Sequence, residues 1–496
     1  MTSPPEPGAA SGVADAPLAP PLAPFTLSQR VARGSAAYGF ANFALKGLSF
    51  FLLALYTRFL TPADYGVIAL AETVAMLAAI VSGLGMSAAS RRLYFQYAGD
   101  RGSLDPYVST ILRFGAVATV AIMALCLALG PAVMRLMGPR FAVPFYPYVA
   151  IALGTAAALQ LVDYRLGLYQ TEEQPRNFVL LSTASALATA VAVVALVIVV
   201  RRGAVGMLEG KLIAAAGMAV VAVALSWPRI RARFRWTYVK ETLPLALPLI
   251  PHQFMALGLV VADRFILQRY RSLDEVGWYS LAYTFGMAMY LVTTSVMQAW
   301  SPLFYQSAAQ GEPARQSLGK IGTLLVAVLS AAAVLGIAVS QPFVRWAISP
   351  AYHQAGRLIP WIIAGYLMHA LFSLFQLAAL QGKKTGRIWL ASGMALAANL
   401  ILNFVLIPPL GAYGAAYATL AAYGIEAGLM YGLAQSAFAV RYRGGRILLC
   451  VVIVGAVLAG SQWQAPSALL WAVVLLLGAL ALLWLAAGLS FSELRY

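Results

Sequence analysis

Charge is what this chain has least of. Only 10% of its 496 residues are Asp, Glu, Lys or Arg, 61% are hydrophobic, and the mean hydropathy is +0.79. A water-soluble domain carries about 25% charged residues, so that class is excluded. Cysteine is nearly missing: Cys126 and Cys450 both lie inside apolar stretches, which argues against a disulfide framework or a zinc site. The three histidines, His252, His353 and His369, show no HExxH or metal-ligand spacing, so no metal is expected. The segment GEPARQSLGK (311–320) ends in Gly-Lys but lacks the spacing and the Ser/Thr of a phosphate loop, which argues against ATP hydrolysis. Long polar connections are missing as well. None between apolar runs exceeds roughly 20 residues, which leaves no room for a soluble domain or for the outer-loop carboxylates of a membrane glycosyltransferase or polymerase. No catalytic residue, enzyme activity or resident cofactor is expected.

Apolar runs fill the chain instead, each long enough to cross a hydrocarbon core about 30 Å thick as a helix. Fourteen are predicted, near 38–60, 65–89, 107–129, 142–165, 177–200, 204–227, 242–267, 275–303, 320–341, 354–378, 387–407, 413–436, 446–462 and 466–489. The fold class is therefore an all-α polytopic membrane protein. Residues 1–27, with seven prolines between Pro4 and Pro24, read as a disordered Pro/Ala-rich tail without the basic start of a signal peptide. The 34 Lys/Arg alternate between sides: with the N-terminus cytoplasmic, 22 fall on the inner side, 11 on the outer, and Lys46 lies inside the first span. By the positive-inside rule both termini face the cytoplasm, and the basic balance reflects topology and lipid headgroups rather than nucleic acid.

An internal repeat runs through this pattern. YTRFLTPADYGVIALAETV of the first two spans aligns with ADRFILQRYRSLDEVGWYSLAYTF of the seventh and eighth, pairing Arg58 with Arg264 and, after a five-residue insertion, Gly66 with Gly277. RRLYFQ echoes SPLFYQ, YQTEEQPR echoes LQGKKTGR, and GAVG at 203 echoes GAYG at 411, with offsets of 206 to 211 residues. Two six-span lobes in parallel repeat follow, 28–236 and 237–440, with two additional spans and a short cytoplasmic C-terminus in 441–496. A pathway is expected between the lobes near the midplane.

The stretches LYTRFLTPADYG, LPLIPHQ, DRFIL and EVGWYSLAY resemble those of polysaccharide-biosynthesis flippases, the Wzx-like branch of the multidrug/oligosaccharidyl-lipid/polysaccharide (MOP) exporter superfamily, over residues 30–440. The resemblance implies alternating-access translocation of an undecaprenyl-pyrophosphate-linked oligosaccharide from the cytoplasmic to the outer leaflet of a bacterial inner membrane, for capsule, exopolysaccharide or O-antigen assembly. It also implies polymerase and export machinery of the same pathway as partners. The alternative is a drug or organic-cation antiporter of the same superfamily.

Charges inside spans cost about 2.5 to 3.5 kcal/mol each on insertion scales, so they mark candidate sites. Lys46, Arg113 and Arg165 lie in the inner half of the first lobe, where a cationic cavity would hold a diphosphate; snorkelling to the inner headgroups is the competing reading. His252, the repeat mate of Lys46 at an offset of 206, either faces the same cavity or is a structural histidine. Glu72 and Glu426 are coupling or cavity residues for a proton or sodium gradient, or members of internal ion pairs. Asn399 and Asn403 either line a sugar-wetted cavity or bond a neighbouring helix. Arg58, Asp263 and Arg264 read as anchors at matching outer ends of the lobes, with a midplane substrate site as the competing reading of Asp263 and Arg264; Trp278, Tyr279 and Tyr283 read as an interfacial belt, with sugar stacking as the competing reading. Gly424 and Gly428 suggest close helix packing, and Pro244, Pro248 and Pro251 a break at the start of the seventh span.

Overall fold

The computed structural model describes residues 47, 51–136, 143–308, 312–382, 387–462 and 478. The predicted tail (1–27), Lys46 and, apart from Gly478, the predicted span at 466–489 lie outside them. All regular structure among the described residues is helical. The first half holds α1 (Pro62–Gly83), α2 (Met86–Tyr97), α3 (Arg101–Leu136), α4 (Ala150–Thr171), α5 (Pro175–Val194), α6 (Gly203–Ile230) and α7 (Trp236–Ala246). The second holds α8 (Leu249–Tyr270), α9 (Leu273–Ala308), α10 (Glu312–Ala347), α11 (His353–Gln381), α12 (Ile388–Leu410), α13 (Ala412–Ala437) and α14 (Gly444–Ser461).

Ten helices among the described residues are long and apolar enough to cross a membrane, against fourteen predicted. Two of the remaining predicted spans, 38–60 and 466–489, fall largely outside the described residues. The other two are α9 and α13, which have the length but not the apolarity. Both run through the interior of the second half, where neighbouring helices rather than lipid meet their Tyr, Thr and Glu side chains.

The repeat is built into helix starts. Thr61 caps α1 in a capping box with Asp64, and Ser272 accepts from the Glu275 amide at the start of α9. Gly203 and Gly411, which open α6 and α13, take φ of +58° and +59°, a conformation open to glycine at no steric cost. In each half the capping carboxylate lies beside that glycine: Asp64 near Gly203, and Glu275 accepting from the Ala412 amide at 3.2 Å. These caps and the Gly66–Gly277 pair share an offset of 211, with no insertion between them. That offset is the one expected after the five-residue insertion. Arg58 is exposed and Arg264 buried, so the two expected repeat mates differ in their surroundings.

In the first half α4 packs on α6 and α1; in the second, α11 packs on α13, α9 and α10. The halves meet where α1 lies along α9 and against α8. The boundary at 237 does not mark a clean separation, because α7 packs on α2 and α3. Tyr97, Tyr107 and Tyr238 form an aromatic cluster there, and the Tyr97 hydroxyl donates to Glu241. That bond, helped by burial, pushes the Tyr97 phenol up to about 12.

Candidate functional site

Two helix breaks meet between the halves. After Gly83 the chain turns through Leu84 and Gly85, both left-handed, and restarts as α2. Opposite, the seventh span breaks at Leu247–Pro248 between α7 and α8, in the proline cluster expected to interrupt it. A Cβ on Gly85 would overlap the Ala246 carbonyl, so the two breaks lie in backbone contact. Each break presents a helix N-terminus, that of α2 and that of α8, with its amides unsatisfied within the helix. Beside the α2 start is a small open cavity of about 50 Å³ between α2, α3 and α4, lined by Ser87, Ser90, Arg91, Tyr94, Tyr107 and Asp163 among others. Arg91 is held by the Ser87 carbonyl at 3.1 Å and by Gln170 at 3.4 Å. Neither α2 nor this cavity was foreseen, because the sequence around 84–86 reads as a continuation of the second apolar span.

Arg113 and Arg165, the members of the predicted cationic set whose side chains are described, do not line this cavity. Arg165 lies on the opposite face of α4 from Asp163, buried with its guanidinium 4.2 Å over the Tyr169 ring, next to the α4–α5–α6 packing of Val162 and Leu181. The Arg113 guanidinium donates to the Ile230 carbonyl and so caps the C-terminus of α6. Arg229, at that same end of α6, pairs with Asp105 at 2.9 Å and Glu172 at 2.7 Å. The spacing that put Arg113 and Arg165 at one depth carried no information on the face each occupies. His252 falls in the first turn of α8, and its side chain lies outside the described structure.

The second half holds a buried polar chain. Asp263 has no exposed surface and accepts from the Tyr279 hydroxyl; Arg264, 9% exposed, donates to the Val260 carbonyl at 2.6 Å and lies 3.7 Å from Asp263. Its guanidinium sits 4.7 Å from the Tyr283 ring centroid. Ring contacts continue from Tyr283 to Tyr366, Tyr423 and His369. The His369 Nδ1 then approaches Glu426 at 3.7 Å, and Ser392 donates to the other Glu426 oxygen at 2.8 Å. The anchor reading of Asp263 and Arg264 is thus corrected: α8 turns both inward, onto α9. Tyr279 and Tyr283 are likewise core residues and not an interfacial belt, at 0% and 1% exposed. Sequence reasoning missed Tyr366, His369, Tyr423 and Ser392. The matching i, i+3 spacing of Tyr366/His369 on α11 and Tyr423/Glu426 on α13 was the available signal.

Of the other candidates, Glu72 pairs with Lys211 of α6, a residue given no role from sequence. Asn399 and Asn403 are fully buried; the Asn403 amide donates to Asn399 at 2.9 Å along α12, and the Asn399 Nδ2 and Asn403 Oδ1 have no hydrogen-bond partner among the described residues. Gly424 and Gly428 face open space and support no close packing.

At the capped ends of α1 and α9 the halves are locked. A Cβ on Gly66 would overlap the Leu273 carbonyl, and one on Gly277 the Pro62 carbonyl. Tyr352, in the turn before α11, donates to the Leu60 and Thr61 carbonyls at 3.1 and 2.7 Å and meets the Tyr65 ring edge-on. Repeat-matched glycines thus form the tightest visible contact between the halves.

These features are those of a multi-pass helical membrane protein, and its fold is shared with solved structures of a flippase and of multidrug transporters. It aligns with a structure described as "Lipid II flippase MurJ, inward closed conformation" at TM-score 0.71 and 15% identity, over 94% of this chain and 100% of that one. An inward-facing multidrug resistance MATE family transporter of the MOP superfamily aligns at TM-score 0.59 and 13% identity, over 83% and 96%. A mutant of the Vibrio cholerae MATE transporter VcmN aligns at 0.57 and 14%, over 83% and 97%. At these identities the likeness is one of fold. A comparison with curated proteins gives no match. The family profile described as "Polysaccharide biosynthesis protein" matches residues 31–308, more than half of the chain, and the protein belongs to that family.

Proposed function

We propose that this protein is a flippase that carries an undecaprenyl-pyrophosphate-linked oligosaccharide from the cytoplasmic to the outer leaflet of a bacterial inner membrane, by alternating access between its halves. The observation that carries the reading is the cavity beside the paired helix breaks. Hydroxyls of Ser87 and Ser90 and the rings of Tyr94 and Tyr107 suit sugar, while Arg91 and the adjoining helix N-termini suit a diphosphate. Closure at the capped ends is one of the two states that such a cycle needs. Family membership supports a substrate of polysaccharide assembly, and the structural relatives include a protein described as a lipid II flippase. We further propose cytoplasmic termini, Lys46 as a second diphosphate contact, and Glu426 as the carboxylate through which a proton or sodium gradient acts.

Arg91→Glu and Lys46→Glu should each weaken binding of the diphosphate carrier roughly ten- to a hundredfold, the worth of one charge-assisted contact. Lipid-linked oligosaccharide should then accumulate on the inner leaflet at an unchanged amount of folded protein. Asp163→Asn should transport normally. The antiporter reading draws on the shared MATE fold and on Asp163 at the same cavity. Normal flipping by both charge reversals, with loss of cationic-dye export in Asp163→Asn, would put that reading in its place.

A further inference from the structure

A second cavity, of about 150 Å³, lies where α10 ends and α11 begins, on the side of the molecule that carries the Tyr352 contact. Gln341, Arg345, His353, Gln354, Gly356 and Arg357 line it. Two guanidiniums and an imidazole converge there, and no carboxylate is among the lining residues. None is near in sequence either, since the chain holds no Asp or Glu between Glu312 and Glu426.

The polar groups at this cavity are also short of partners. The His353 Nε2 is buried with no hydrogen-bond partner among the described residues, a state that favours an acceptor from outside the protein. Arg345 is exposed and has no ion-pair partner among the described residues. Arg357 meets the Tyr413 hydroxyl and leaves most of its guanidinium free for another acceptor. The start of α11 adds amides that point along the same axis. Trp346, 82% exposed at the end of the apolar α10, marks the level at which a membrane passes from hydrocarbon to headgroups.

We propose that this cavity is a binding site for a phosphate group at headgroup depth, with Arg345 and Arg357 as its charged clamp and His353 Nε2 as a further donor. The site is built from α10 and α11 of the second half, the cavity of the transport reading from α2, α3 and α4 of the first, and it does not depend on that cavity. An anionic phospholipid and free phosphate share this chemistry. His353 directly follows Tyr352, so an occupant sits one residue from the contact that joins the halves.

The test uses the full-length protein in nanodiscs of phosphatidylcholine alone or with phosphatidylglycerol, with native mass spectrometry of the lipid adducts that survive release. Wild-type protein should retain phosphatidylglycerol over phosphatidylcholine. Arg345→Gln/Arg357→Gln should weaken that retention about tenfold or more, whereas Arg345→Lys/Arg357→Lys, which keeps the charge, should preserve most of it. Adducts that persist against millimolar inorganic phosphate identify the lipid headgroup as occupant; displacement by phosphate identifies the free anion. Equal retention by wild-type protein and the glutamine variant, or loss in the lysine variant equal to that in the glutamine variant, would overturn the proposal.

Discussion

Removing Arg264 alone leaves Asp263 buried without its cation, since the carboxylate has no exposed surface and its Oδ1 has no hydrogen bond among the described residues. Breaking such a pair from one side costs about 3 to 5 kcal/mol, whereas replacing both members by neutral groups costs much less. Arg264→Ala should therefore lower stability in detergent by that amount, and Asp263→Asn/Arg264→Met should recover most of the loss, as read by thermal melting of the purified protein. Equal melting of the wild type and Arg264→Ala would return the pair to a surface role. The presence of these charges was legible in the sequence; their direction was not. Arg264 sits near the end of an apolar run, where snorkelling is cheap, and only the rotation of α8 against α9 decides that it points inward. Lys211 shows the same blindness: its partner Glu72 lies on another helix, and no local pattern joins them.

Helices were easier to read than faces, where their ends carried a physical signal. The proline cluster gave the α7–α8 break, whereas the T-P-A-D capping box of α1 and the left-handed starts at Gly203 and Gly411 were legible only as parts of the repeat. The break before α2 was not legible, because Gly83-Leu84-Gly85 is apolar and lies inside an apolar run, where glycine is tolerated. The Gly66–Gly277 contact yields a prediction at this scale. Gly277→Val should force α1 and α9 apart at their capped ends, because no flexible side chain is there to yield: the obstacle is the Pro62 carbonyl. Leu281, one turn along the same face and fully buried, then reports the opening. Leu281→Cys should resist a water-soluble thiol reagent on its own and react readily when combined with Gly277→Val. Lack of reaction in both would mean that this contact is not where the halves part.

At the scale of the whole molecule, two matched halves touch through matched residues at one end and carry a polar, aromatic cavity beside two broken helices at the other level of the interface. The repeat was legible because helix caps and glycines keep their spacing while the apolar residues between them drift. The site was only partly legible: cations of the right number and depth are present, but Arg113 and Arg165 are committed to a helix cap and a tyrosine ring, and Arg91 stands at the cavity. The most direct test of transport by alternating access is leaflet exchange in vesicles. The purified protein is reconstituted with a diphosphate-linked oligosaccharide placed in one leaflet, and the arrival of sugar in the other is read with an impermeant lectin. The account predicts rapid lectin access with wild-type protein, background access with Arg91→Glu, and no uptake of cationic dye by the same vesicles. Dye transport without any protein-dependent arrival of sugar would contradict it.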